Sequence, residues 1–132
     1  GSACAQALIT PAPGYLAALE LHTADELLKV LSRAEELLLD STVAAGRPAN
    51  VTLLMHGPEV HVLLRQNYVR NRAVVDLAAR LSALGVVDIR ACRTWMGGNG
   101  IDEADLQPFV GTVPNAVVEA GRLAREESYI DF

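Results

Sequence analysis

A chain of 132 residues and 14.1 kDa, 51% of them hydrophobic, is long enough to bury one core and too short for two. Its net charge of −5 and pI near 5.1 supply no positive field, which argues against nucleic acid or an anionic membrane as partner. No run approaches the roughly 20 apolar residues that cross a bilayer, and lysine occurs once, at Lys29, so no lysine-rich patch is present.

Residues 1–14 are expected to be a flexible amino-terminal segment ahead of a single domain over 15–132. Gly1-Ser2 reads as a cloning scar, while Ala5-Gln6-Ala7 has the small-x-small pattern of a signal-peptidase site and Ser2-Ala3-Cys4 that of a lipoprotein cleavage motif. The expected compartment is the cytoplasm, or the periplasm if this segment is a processed leader. Two cysteines, Cys4 and Cys92, are too few for a disulfide framework.

The first predicted strand covers 15–22 (YLAALELH). Thr23, with Glu26 three residues later, forms a capping box that starts a helix running to about Asp40. Along it Leu27, Leu28, Leu31, Ala34, Leu37 and Leu38 recur at helical spacing, one face for a sheet. Gly46-Arg47-Pro48 breaks the pattern, and 50–56 (NVTLLMH) is a buried strand ended by Gly57-Pro58. A short helix is expected over 59–65 and a longer one over 68–84, terminated by Gly85.

The third strand, 86–92, places Val86, Asp88, Arg90 and Cys92 on one face and Val87, Ile89 and Ala91 on the other. A parallel strand buried on both sides should be apolar throughout, so Asp88 and Arg90 predict an edge strand or a face closed by another subunit. A glycine-rich loop over 93–100 follows, then an acidic helical turn over 102–106 and a fourth strand over 108–113. Pro114 suits the first turn of a helix reaching Glu126, and 129–132 is a possible last strand. Alternating strands and helices with short links predict a three-layer α/β/α sandwich around a mainly parallel sheet of about five strands.

If the first three strands are parallel, His22, His56 and Cys92 stand on one rim at their carboxyl ends, where open α/β sheets place their chemistry. Cys92 is the candidate nucleophile. Arg90 and Arg93 are near it in sequence, and amides of the following loop are expected to face the sulfur, both of which favour thiolate. Buried cysteine also serves as a small apolar side chain, so an inert Cys92 is the competing reading.

His56 precedes a glycine that lets backbone approach a ligand. His22 flanks the Thr23 cap, and His61 is expected on a helical surface. Thr94 lies in the loop after the cysteine, Trp95 and Met96 there are candidates to line a small apolar pocket, and Gly100 belongs to the same turn. Imidazole and thiolate suit zinc or copper, but His22, His56 and Cys92 lack the close local spacing of a convincing site, and no metal is predicted. Gly98-Asn99-Gly100 matches only the first two glycines of a dinucleotide fingerprint and is followed by carboxylates where phosphates would sit, and no Walker A or GxSxG motif occurs. No cofactor is predicted.

The strand ending in His56-Gly57-Pro58, the strand ending at Cys92, Gly100-Ile101, the run Asp105-Leu106-Gln107-Pro108, and the closing Val113-Pro114, helix and Tyr129-Ile130 together resemble the DsrE/DsrF-like sulfur-relay family, which includes the YchN-like proteins. The resemblance spans roughly 15–132 and is a pattern of positions. It implies a three-layer α/β fold assembled into homo-oligomers, trimers or hexamers. It also implies that the cysteine matching Cys92 accepts sulfane sulfur as a persulfide and passes it to a small carrier protein. His56, Gly57, His22, Arg93, Thr94, Trp95 and Gly100 are the supporting residues expected around it. The alternative is a non-catalytic oligomeric protein that binds a small ligand or partner peptide at the strand ends.

Overall fold

The computed structural model describes residues 17–46, 49 and 51–126. Strand β1 is Ala17–Leu21, helix α1 Ala24–Leu39, strand β2 Val51–Met55, helix α2 Arg72–Ala83 and strand β3 Val87–Cys92. Helix α3 is Arg93–Gly98, strand β4 Val110–Val113 and helix α4 Ala116–Glu126. Among the described residues the sheet has four strands in the order β1-β2-β3-β4, every neighbouring pair parallel. The proposed amino-terminal segment over 1–14 and the possible strand over 129–132 lie outside the described residues. No described helix is long and apolar enough to cross a membrane.

Local chemistry sets most boundaries. Thr23 Oγ1 accepts the Glu26 amide at 3.1 Å, and Glu26 Oε1 accepts the His22 amide at 3.1 Å, so the predicted start of α1 holds, with the return bond made one residue upstream. Gly85, at φ +74°, lets the chain leave α2 in a conformation that side chains resist, and its missing Cβ leaves room for the Gly46 backbone. The helix expected over 68–84 begins only at Arg72. Ahead of it, Pro58–Leu63 and two further turns are 3₁₀, because Asn67 and Asn71 spend their amide side chains on the His61 and Asn67 carbonyls and compete with a regular helix.

Alternation along the strands divides the buried residues. Val51, Leu53 and Met55 of β2 and Val87, Ile89 and Ala91 of β3 join Leu27, Leu31 and Ala34 of α1 and Val75, Ala78 and Leu81 of α2 in the main core. Leu54 of β2, Cys92 and Val113 form a second, small cluster with Ala116 of α4.

The placement of β3 overturns the edge-strand half of the expectation for Asp88 and Arg90. It is an interior strand, bonded to β2 on one side and β4 on the other. Its polar face is tolerated because Arg90 is neutralised in place, by Asp88 at 2.6 Å and Glu119 of α4 at 3.1 Å, while the Arg90 and Asp88 side chains keep 30% and 36% exposure.

Candidate functional site: a thiol cleft at the strand ends

Because β1, β2 and β3 are parallel neighbours, His22, His56 and Cys92 emerge on one rim of the sheet, as expected. The rings of His22 and His56 meet edge to face with centroids 4.5 Å apart. Cys92 is the last residue of β3 and a free cysteine, 5% exposed. His56, Cys92, Thr94, Trp95, Asn115, Ala116 and Val117 line a cleft of about 220 Å³.

The segment after Cys92 differs from the expected loop: Arg93–Gly98 is helical, with Cys92 at the capping position. The two glycines inside it cost helix stability, and burial offsets that cost. Met96 is 2% exposed in the main core, and Trp95 packs against both clusters. Gly100, at φ +67°, then turns the chain so that the Ile101 amide reaches the Met96 carbonyl at 3.0 Å. Gly100 is exposed and does not line the cleft.

The amide that faces the sulfur comes from elsewhere than the loop: the Ala116 N–H, at the start of α4, donates to Cys92 Sγ at 3.4 Å. Nor do the neighbouring arginines supply the positive charge. Arg90 is committed to Asp88 and Glu119, and Arg93 is exposed and donates to Thr112 Oγ1 at 3.2 Å, with Glu103 at 3.6 Å. The group that meets the sulfur is therefore the Ala116 amide at the amino terminus of α4, the end of a helix that carries partial positive charge.

Thr94 lines the cleft and ties its hydroxyl to the Pro114 carbonyl at 2.7 Å, which draws the start of α3 to the start of α4. Trp95 lines it as predicted and stacks edge to face on His61, 5.7 Å away, which is exposed on its 3₁₀ turn. Asn115, Ala116 and Val117 were not legible as site residues. Their one sequence signal is Asn115 after Pro114, a helix-capping residue whose Oδ1 accepts the Val118 amide at 3.1 Å.

Gly57 is buried beside His56, and its significance is steric. A Cβ there would stand 2.8 Å from both Glu59 Oε1 and the His22 carbonyl oxygen, so only glycine lets the two strand ends and the Glu59 carboxyl share this space. Glu59 itself, 0% exposed, is a second residue that periodicity conceals. Burial pushes its carboxyl above the ordinary glutamate range, against the hydrogen bonds it accepts from its own, the His56 and the Gly57 amides.

Among the described residues no group of three or more histidine, cysteine, aspartate or glutamate side chains is arranged to hold a metal ion, and His22, His56 and Cys92 do not converge as ligands. The arrangement is that of an α/β protein with a shielded thiol at the carboxyl edge of a parallel sheet, roofed by a helix amino terminus.

No family model matches the chain, and no curated protein matches it. A solved structure does: the protein of unknown function MTH1491 from Methanobacterium thermoautotrophicum, 21% identical, with a TM-score of 0.65 over 87% of this chain and 95% of that one. The likeness is one of fold.

Proposed function

We propose that the protein is a sulfur-relay carrier that takes sulfane sulfur on Cys92 as a persulfide and hands it to a partner carrier protein. The observation that carries this reading is Cys92 Sγ at the cleft, under the Ala116 amide and the positive end of α4, which suits a transient negative charge on sulfur. The Cys92 thiolate attacks the terminal sulfur of a donor R–S–SH. The new S–S bond forms as the donor's S–S bond breaks, R–S⁻ leaves, and the proton stays on the transferred sulfur. An acceptor thiolate then attacks that terminal sulfur and releases Cys92 as thiolate, so no outside oxidant or reductant is consumed.

The positional resemblance to the DsrE/DsrF-like family supports this reading, as does the parallel sheet with its thiol at the rim. That resemblance also favours a three-layer sandwich, with α1 and α2 against one set of strand residues and α4 against the other, and a trimer or hexamer. Val117 and Val118, 61% and 69% exposed on α4 beside the cleft, suit such a contact. A cytoplasmic setting fits a relay between thiols.

The second reading is a ligand-binding protein with an inert Cys92. The sulfur's low exposure and the apolar Trp95, Ala116 and Val117 around it favour this alternative. Intact-protein mass after treatment with polysulfide separates the two, using the unmodified sequence, Cys92→Ser and Cys4→Ser. The relay reading expects a gain of one sulfur that reductant removes and that only Cys92→Ser abolishes. A folded protein whose Cys92 stays unmodified selects the binding reading.

A further inference from the structure

We infer that Glu59 is a positioning residue for the thiol cleft: its buried carboxyl holds the backbone just past the end of β2 and thereby fixes the His56 wall that faces Cys92.

The latch is built from two hydrogen bonds. Glu59 sits in the first turn of the Pro58–Leu63 3₁₀ helix and folds back, so that Oε2 accepts the His56 amide at 2.9 Å and the Gly57 amide at 3.1 Å. Its other oxygen, Oε1, makes no hydrogen bond and lies in the space that the missing Gly57 Cβ leaves open, a space the His22 carbonyl borders from the β1 side. The His56 imidazole is then bracketed, by its own backbone tied to Glu59 and by the His22 ring at 4.5 Å, and it faces the cleft that holds Cys92.

A merely structural account of this carboxyl is weak. A group that is fully buried, with Oε1 making no hydrogen bond, is expensive to keep. What the buried acid adds is definition: two amides at the mouth of the site are held from below, as supporting groups must be if a cleft is to present its walls reproducibly. The proline at the start of the turn, with its preset φ, directs Glu59 back under the strand end.

The inference concerns the cleft and rests on the sulfur-relay reading only for its consequence, so its test uses a reagent that needs no sulfur donor. Iodoacetamide alkylation of Cys92 and amide hydrogen exchange at His56 and Gly57 are followed in the unmodified protein, Glu59→Gln and Glu59→Ala. Glutamine retains an oxygen for both amides, so it should keep the alkylation rate within about twofold and the two amides protected, whereas alanine should shift the alkylation rate by about tenfold or more and release them. The Ile89 amide of β3 should stay protected in all three and reports that the core is intact. Equal alkylation rates and unchanged exchange in Glu59→Ala would overturn the assignment. Should Glu59→Ala not fold, the unmodified protein decides: rapid exchange of the His56 and Gly57 amides also overturns it. Polysulfide uptake by Cys92 is measured separately, so a failed relay and a failed latch give different results.

Discussion

The two faces of the sheet are built on different principles. The face toward α1 and α2 is a continuous apolar core in which Leu27, Leu31, Leu53, Ile89 and Leu81 are all 0% exposed. Among the described residues, the face toward α4 carries Leu54, Cys92, Val113 and Ala116 as its buried cluster, and beside them an ionic network of Asp88, Arg90, Glu119 and Arg122. Stability is concentrated on the first face, where each buried leucine contributes about 1.5–3 kcal/mol. The second face, among the described residues, carries the thiol, the cleft and the charge.

Truncation on the first face should have the largest effect. Leu53→Ala opens a cavity among side chains that cannot collapse into it, and denaturant unfolding should register a loss of about 2–5 kcal/mol. A loss comparable to that of a surface substitution would mean that the core is not divided as described.

The buried acid at the rim makes an intermediate, pH-dependent contribution. Burial raises the Glu59 carboxyl, so the folded protein holds its proton at pH values where the unfolded chain has released it. This contribution is fully present below the ordinary glutamate value and is lost as pH rises through the raised one. Glu59→Gln cannot lose a proton, so its stability should fall less than that of the unmodified protein on going from mildly acidic to neutral pH. Parallel stability curves for the two would show that Glu59 is not desolvated.

The smallest effect belongs to the ionic face. The Arg122 guanidinium, bonded to Glu119 at 2.8 Å, holds that carboxyl below the ordinary range, with Arg90 adding to the effect and partial burial opposing it. The stabilisation is present above the ordinary glutamate value and disappears as pH falls through the depressed one. Glu119→Gln should cost about 0.5–1 kcal/mol at neutral pH and low salt and should remove part of the acid-side loss. An effect as large as that of Leu53→Ala would place the ionic face on an equal footing with the core and break the contrast.

The apolar spacing from Leu27 to Leu38, the Thr23-Glu26 box, the runs 50–56 and 86–92 and Gly85 were enough to read α1, β2, β3 and the end of α2, because period and capping are local and each residue reports its own neighbourhood. For the same reason the strand-end positions of His22, His56 and Cys92 were legible once the strands were taken as parallel. Strand order was beyond the sequence, since Asp88 and Arg90 mark an edge by composition, whereas Arg90 is neutralised by Asp88 and by a glutamate 29 residues away. The helical state of 93–98 was also decided by tertiary packing: its glycines argue for a loop until Trp95 and Met96 are anchored. The partner of the sulfur was fixed by packing as well, because the Ala116 amide is 24 residues distant and the nearer arginines turn to other carboxylates. By itself, then, the chain determined which segments fold and which residues reach the strand ends. Long-range packing alone decided which groups face Cys92, since hydrogen bonds and ion pairs of that range depend on how distant elements dock.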